Sequence, residues 1–255
     1  MKVLDEKKKE FSGKSAIVLG NGPSLNNLDF NLIKDSPDVI TFATNQIADL
    51  CKQNNWKPDI YSSFFCGPFR GKKYKTLSGK MLNYEGSLEK AIEAQNDIRY
   101  ITNNLETICF VHDWYKIFLE EKENIHFINP ILWNRHKDFP SNGFDKFKLP
   151  KKFLWHCATA PLFQMCFYFG FKRIAIVGQD GYGGGKVNHF ANYKGNKLNT
   201  DEHIIRANRS IYNLHNAVSN YAKKKKLSIY NLSEISIIDH YSEISLHNYL
   251  NQIDS

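Results

Sequence analysis

The first residues whose types and spacing could do chemistry form a glycine-containing turn, Gly20-Asn-Gly-Pro-Ser24. The turn follows an apolar run that is typical of a buried strand, and Pro23 and Ser24 stand where a helix would begin. Such a turn directs backbone N–H groups and a helix N-terminus towards one point, which favours a bound anion. The pattern predicts a phosphate or nucleotide site, although a tight turn without a ligand would use the same residues.

The pattern lacks several residues that common nucleotide-binding loops contain, and their absence narrows the kind of nucleotide that could bind. Leu25 stands where a dinucleotide-binding loop has its third glycine. Asn45 and Gln46, rather than an acidic residue that could hold a ribose, follow the second apolar run. The sequence also has no P-loop motif. These features argue against the common dinucleotide and P-loop sites.

Polar residues follow several of the predicted strands. Ligands of doubly wound sheets bind beyond the carboxyl ends of the strands, so we expect these side chains to line one crevice. Their neutral amide and hydroxyl groups suit the recognition of a base and a ribose. The strand-end residues predicted to converge are Gly22, Ser24, Asn45, Gln46, Ser62, Ser63 and Asp180.

A polar stretch at 181–200 is too long for an ordinary connection and is predicted to be an active-site lid. It contains His189, whose ordinary pKa of about 6.5 suits a general base, and Tyr182, whose hydroxyl could reach a phosphate. A surface histidine without a catalytic role is the alternative. Asp180 could orient a ligand or bind a metal, but a single carboxylate makes a metal site the weaker interpretation.

Apolar runs alternate with helical patterns along the chain, which indicates an α/β fold. Strands are predicted at 15–20, 39–43, 60–65, 99–102, 125–128, 174–178 and 227–233. Helices are predicted at 25–33, 47–52, 114–122, 158–169 and 201–226, with Gly170 as the cap of the fourth. We expect a Rossmann-like parallel sheet flanked by helices. Residues 1–12 are predicted to be a polar extension, and 13–255 a single domain that carries the lid.

The composition narrows the class of protein. Hydrophobic residues make up 42%, which argues against global disorder, and no apolar run approaches the ~20 residues of a membrane span. The first ten residues lack the apolar segment of a secretory signal, and the five cysteines lack metal-binding spacing, so we expect a cytoplasmic protein.

The net charge of +8 comes from lysine runs without a nucleic-acid motif. We expect solvated faces, with an anionic substrate or an anionic membrane surface as alternatives and no nucleic-acid partner. The sequence leaves a homo-oligomer open.

Five stretches resemble, in order, motifs of the bacterial sialyltransferases of glycosyltransferase family 42 and of a broader set of sialyltransferase-like proteins. The stretches are 20–25, 44–46, 169–182, 188–190 and 229–233. The resemblance covers about half of the chain. It is specific in the order and spacing of its motifs and weak in overall identity.

The resemblance implies a Rossmann-like domain with a modified GT-A architecture that works without metal or another cofactor. It implies transfer of sialic acid, or a related nonulosonic acid, from a CMP-activated donor to a glycan or glycolipid hydroxyl with inversion, as in lipooligosaccharide or capsule synthesis. By position, the residues implied to hold CMP are Asn21, Gly22, Ser24 and Asn45. We expect four further residues to bind the donor nucleotide with them: Gln46, Ser63, Thr159 and Asp180. Tyr182 would contact the phosphate and His189 would be the base, while Tyr193 replaces a second histidine of the family.

Two other functions stay open at this point. The opening Gly-x-Gly-Pro-Ser-Leu and Lys57-Pro-Asp59 also resemble an archaeal pterin pyrophosphokinase, which would need Mg²⁺ and strand-end carboxylates. Among the predicted strand ends, Asp180 is the main candidate for such a carboxylate. A non-catalytic accessory protein that binds nucleotide sugars is the other alternative, supported by the altered histidine position.

Overall fold

In the computed structural model, eight strands form one parallel sheet in the order β8-β7-β6-β1-β2-β3-β4-β5. The strands are β1 (Ser15–Leu19), β2 (Val39–Thr44), β3 (Ile60–Ser63), β4 (Ile108–His112), β5 (Ile125–Ile128), β6 (Arg173–Val177), β7 (Ser228–Asn231) and β8 (Ser242–Glu243). The structure describes residues 2–45, 47–64, 74–75, 81–82, 96–117, 119–128, 131–132, 144, 154–155, 157–181 and 201–252. The predicted Rossmann-like parallel sheet is confirmed.

Helices cover both faces of the sheet. They are α1 (Lys2–Glu10), α2 (Phe30–Lys34), α3 (Ala48–Gln53), α4 (96–102), α5 (Ala160–Phe169), α6 (Asp201–Lys225) and α7 (Leu246–Asn251). Alternate residues of the strands pack into two separate cores, because successive side chains of a strand point to opposite faces. One core contains α1, α5 and α6, and the other contains α2, α3, α4 and α7.

The strand order reverses between β1 and β6. From β1 the chain proceeds in one direction through β2, β3, β4 and β5, and it then returns to β6 on the other side of β1. Ala16 of β1 is paired with Ile174 of β6 on one side and with Ile40 of β2 on the other. In open α/β sheets this reversal marks the usual ligand crevice, at the carboxyl edge.

The predicted helix at 158–169 and its Gly170 cap are confirmed by α5. It begins after Thr159 and ends at Phe169, and Gly170 adopts a left-handed conformation with φ of 86°. The Phe171 N–H donates to Cys166 O at 3.2 Å, which completes a helix-ending turn that favours glycine. Because this helix is buried, its N-terminus is held rigidly at the carboxyl edge of the sheet.

The N-terminal segment is a helix rather than a simple polar extension. Leu4 and Phe11 are buried, and the Phe11 ring packs on Phe169 at 5.2 Å and on Phe171 at 5.9 Å. Seven positions separate Leu4 and Phe11, so they lie on one face of a helix that continues into a turn. The remaining side chains of α1 are mostly charged, which explains why the composition alone indicated an extension.

The middle of the sheet differs most from the prediction. Residues 99–102 were expected to form a strand but belong to α4, where Ile98 and Ile101 are buried at helical spacing. The strand β4, Ile108–His112, was not predicted, although all five of its residues are buried. The predicted helix at 114–122 is a short 3₁₀ segment, Asp113–Ile117. The strand at 125–128 is confirmed.

Among the residues that the structure describes, two short two-stranded sheets are separate from the main sheet. Tyr74–Lys75 pairs with Met81–Leu82, and Ile131–Leu132 pairs with Leu154–Trp155, each as a two-stranded sheet. Within the described ranges, no helix has the length and apolar character needed to cross a membrane.

Candidate functional site

Two turns meet where β1 and β6 end. The Gly20 N–H donates to Val177 O at 2.8 Å, and the Gly22 N–H donates to Gly178 O at 2.7 Å. A Cβ on Gly20 would lie 2.1 Å from Gly178 O, and a Cβ on Gly22 would lie 2.4 Å from Asp180 Oδ2. Glycine is needed at both positions, because Gly20 meets the backbone of Gly178 and Gly22 meets the Asp180 carboxylate and the Gly178 carbonyl.

The Asp180 carboxylate is buried beneath this contact and accepts three hydrogen bonds. Ser24 donates twice, from its N–H to Oδ2 and from its hydroxyl to Oδ1, each at 2.8 Å. The Ser233 hydroxyl donates to Oδ1 at 2.6 Å. The Ser24 hydroxyl in turn accepts the Gly178 N–H at 2.9 Å. A buried carboxylate is stable only when donors replace its lost hydration, and these groups supply that replacement.

This arrangement corrects the predicted chemistry of the turn. The N–H groups of Gly22 and Ser24, expected to face a phosphate, are bonded to Gly178 and Asp180 instead. The expected helix at 25–33 is a five-residue 3₁₀ segment, Pro23–Asn27, followed by α2. The anion held by the turn is the chain's own carboxylate. A direct contact of Ser24 or Asp180 with a nucleotide stays a prediction.

We expect Asp180→Asn to lower the free energy of unfolding by about 2 kcal/mol, because an NH₂ group cannot accept the serine donors that a carboxylate oxygen accepts. Urea unfolding measures the effect. Asp35→Asn is the matched control, because Asp35 is exposed, and it should change the stability by less than about 0.5 kcal/mol. If both variants unfold alike and Asp180→Asn loses ligand binding, Asp180 is a ligand contact rather than a structural acceptor.

The ends of β1 and β2 are joined by Asn21. With its amide oriented so that the NH₂ group faces carbonyls, Asn21 donates to Thr44 O at 3.1 Å and to Gly20 O at 2.8 Å. Asn45 follows directly and is half-buried. The structure thus places Asn21 and Asn45 at neighbouring strand ends, as the sequence predicted.

The N-terminus of α5 lies beside the same strand ends. The Thr44 hydroxyl donates to Ser62 O at 2.9 Å and lies 3.3 Å from Ala158 O. Thr159 precedes the helix, but its side chain does not cap it. The first N–H groups of this helix are already occupied, because Ala160 donates to Cys157 O and Leu162 and Phe163 donate to Thr159 O, and Pro161 has no N–H. The helix dipole still places partial positive charge at this end, which favours a negatively charged part of a ligand nearby.

The two serines at the end of β3 are both buried. The Ser63 hydroxyl lies 3.1 Å from the Tyr115 hydroxyl and is 1% exposed, inside the core. Ser62, on the opposite face, lies 3.5 Å from the Thr44 hydroxyl. Ser63 is therefore placed as a core contact, which gives no support to its predicted contact with a nucleotide.

Three predicted site residues lie outside the described residues. They are Gln46, Tyr182 and His189. The predicted lid at 181–200 is described at Gly181 alone, which has a φ of 66°. Their roles stay predictions.

A buried network next to Asp180 was missed by the sequence reasoning. His215 of α6 lies with Nε2 2.9 Å from Gln179 Oε1 and Nδ1 3.0 Å from the Tyr241 hydroxyl. Because the amide oxygen can only accept, Nε2 carries the proton, which leaves Nδ1 as an acceptor. The Tyr241 hydroxyl can donate to Nδ1 or to His215 O, which it approaches at 3.2 Å. Burial, together with the nearby His240, lowers the pKa of His215 to about 3. This neutral imidazole ties α6 to the residue preceding Asp180.

A second missed histidine ends β4 at the same edge. His112 is buried, and its Nδ1 lies 2.6 Å from Asp113 Oδ1. Burial lowers the pKa of His112 to about 4, although Asp113 acts in the opposite direction. The apolar run Ile108–His112 was the available signal, since an unbroken run of this kind is typical of a strand in a parallel sheet.

We compared the sequence and the fold with those of known proteins, and only the fold gave a match. No protein-family model and no curated protein matches the sequence. Among solved structures, the fold is similar to that of the MAf glycosyltransferase from Magnetospirillum magneticum AMB-1, with a TM-score of 0.52 and 11% sequence identity. The similarity covers 95% of this chain and 37% of that protein. At this identity the likeness concerns the fold, which is that of a glycosyltransferase structure.

Proposed function

We propose that this protein is a glycosyltransferase that moves sialic acid, or a related nonulosonic acid, from a CMP-activated donor to a glycan hydroxyl. The observation that carries the proposal is the group of uncharged residues, Asn21, Asn45 and Thr159, at the carboxyl edge beside the α5 N-terminus. Amide and hydroxyl groups suit a cytosine and a ribose, and the positive end of the α5 dipole suits the single phosphate of CMP. The fold similarity to a glycosyltransferase supports the reaction class.

The pyrophosphokinase alternative depends on a carboxylate that would bind Mg²⁺. Asp180 was the main candidate, and its oxygens already accept three hydrogen bonds from Ser24 and Ser233. Ligation of Mg²⁺ would require these serine donors to be displaced. This arrangement favours the transferase over the kinase.

In the proposed mechanism the acceptor hydroxyl attacks the anomeric carbon of the donor. The new C–O bond forms as the bond to the CMP phosphate breaks, and His189 takes the hydroxyl proton. Tyr182 and the α5 N-terminus would stabilise the charge that develops on the departing phosphate. A lid over the donor would exclude water and so limit hydrolysis.

Thermal-shift titration tests the nucleotide. CMP and CMP-sialic acid are expected to raise the melting temperature at micromolar to millimolar concentrations, because ligands that bind the folded state stabilise it. UDP serves as the control for a pyrimidine nucleotide of a different donor class. Stabilisation by ATP with Mg²⁺ and not by CMP would overturn the proposal in favour of a kinase.

Replacing His189 with alanine tests the base. We expect transfer to fall by about a hundredfold or more while CMP still binds, because a positioned base contributes to proton removal and not to nucleotide affinity. The exposed His247→Ala variant is the control and should keep full activity. Unchanged turnover in His189→Ala would remove His189 from the mechanism and strengthen the non-catalytic alternative.

Contact with an anionic membrane also stays a proposal. The fold indicates which side of the protein a membrane would face if it bound the lysines near the end of α6. Lys223–Lys225 end α6 and Lys226 follows it, immediately before β7, so these lysines lie at the amino edge of the sheet, opposite the candidate site. A membrane bound through these lysines would leave the site facing away from the lipid. We therefore expect any glycolipid acceptor to reach the site independently of these lysines.

A further inference from the structure

Asn45, at the end of β2, has a left-handed backbone with φ of 57°. Among the described residues other than glycine, Asn55 and Lys226 share a positive φ. Both of these follow helices, and their conformation completes a helix-ending turn: the next residues donate to Cys51 O at 3.0 Å and to Ala222 O at 2.9 Å. Asn45 follows a strand, so helix termination does not explain its strained conformation.

Three hydrogen bonds hold the backbone of Asn45 in this state. Its N–H donates to Ser62 O at 3.1 Å. Its carbonyl accepts the Ile47 N–H at 3.1 Å and the Tyr61 hydroxyl at 2.7 Å. An unfavourable backbone conformation persists only where the surrounding structure fixes it, and Tyr61 makes the shortest of these bonds.

Tyr61 is suited to act as a permanent donor. It lies opposite Ala43 in the pairing of β3 with β2 and is fully buried. Burial raises the pKa of its hydroxyl well above the usual value, so the hydroxyl keeps its proton at neutral pH. Its ring is buried in the core. Its hydroxyl contacts the Asn45 carbonyl, and through that bond it can affect the candidate site.

We infer that Tyr61 is a positioning residue, which holds Asn45 left-handed so that the Asn45 amide is presented to the nucleotide. The Asn45 side chain is half-buried and, in the part of the chain that the structure describes, has no hydrogen-bond partner. Among the described residues, nothing therefore competes with a base or ribose for this amide. This inference rests on the proposed function, since the ligand is the CMP part of the donor.

The first experiment measures CMP affinity in a double-mutant cycle. Tyr61→Phe removes one hydrogen bond and keeps the buried ring, so we expect CMP to bind about fivefold more weakly. In an Asn45→Ala background the same change should have no further effect on the affinity, because Tyr61 acts through Asn45. A similar loss in both backgrounds, or no loss in either, would overturn the inference.

The second experiment reads the backbone without any ligand. Alanine at a left-handed position is strained and glycine is not, so Asn45→Ala should melt about 2 to 4 °C below Asn45→Gly. With Tyr61→Phe present, this difference should shrink or reverse, because position 45 can then relax. The same pair of substitutions at Asn55, with φ of 44°, is the control, and its difference should not respond to Tyr61→Phe.

The two experiments fail in distinguishable ways. If the unmodified protein does not bind CMP, the proposed nucleotide is wrong, and the melting temperatures alone decide whether Tyr61 fixes Asn45. If CMP binds but the glycine and alanine variants differ equally with and without Tyr61→Phe, the proposed nucleotide stands and the positioning role is wrong.

Discussion

Replacing Gly20 with alanine is expected to lower the free energy of unfolding by about 3 kcal/mol or more. The added Cβ would lie 2.1 Å from Gly178 O and 2.7 Å from the Gly178 carbonyl carbon. Both are backbone atoms, so no side-chain rotation can relieve the overlap. Gly178 cannot retreat easily either, because its own left-handed turn packs against Leu25. Relief requires β1 and β6 to separate where the two turns meet.

The control for this substitution is Gly13→Ala. Gly13 has a φ of 85° and no atom within 4 Å of its added Cβ, so alanine there meets strain but no overlap. We expect a loss of about 1 kcal/mol from that strain. Urea unfolding at neutral pH compares the two variants directly. If Gly20→Ala is no less stable than Gly13→Ala, the turns of β1 and β6 are not in the contact described above.

The sheet was largely predictable because parallel strands buried on both faces are continuous apolar runs. The runs at 15–20, 39–43 and 174–178 are almost wholly apolar, with Thr41 as a polar residue inside the second, and each is a strand. The segment 99–102 was misread because Tyr100, Ile101 and Thr102 favour strands as residue types. Tertiary burial of Ile98 and Ile101 three positions apart determined the helix instead.

The candidate site was predictable in its location but not in its internal chemistry. Strand-end residues were expected to converge, and Ser24 and Asp180, 156 positions apart, are in contact. The sequence cannot show that the carboxylate would fill the anion position of the turn, because the same residues would suit an external phosphate. Nor can it show that the hydroxyl of Tyr61, an ordinary strand residue, would bond to the Asn45 carbonyl.

Lowering the pH below about 6 is expected to destabilise the protein steeply. Burial lowers the pKa of His215 to about 3 and of His112 to about 4, whereas an unfolded histidine titrates near 6.5. As the pH falls, the unfolded chain therefore binds protons that the folded protein excludes. The stability from these two groups is complete above about pH 6.5 and is lost as the pH falls towards 4 and then 3. Near pH 5 the two histidines together give a slope of about 2 to 3 kcal/mol per pH unit, just below the limit for two groups.

His215→Gln separates the two contributions. Glutamine can donate to Gln179 Oε1 and accept from Tyr241 but does not titrate, so the slope near pH 5 should fall by about 1 kcal/mol per pH unit, which is the contribution of His215. Urea unfolding between pH 4.5 and 7.5 measures the slope, whatever the variant's stability at neutral pH. His247→Gln, at an exposed position, is the control and should keep the full slope.

Carboxylates titrate alike in the unmodified protein and in both variants, so their contribution to the slope cancels in the comparison. An unchanged slope in His215→Gln would mean that His215 is protonated in the folded protein. Both ring nitrogens would then donate, Nε2 to Gln179 and Nδ1 to the Tyr241 hydroxyl, which can donate in turn to His215 O.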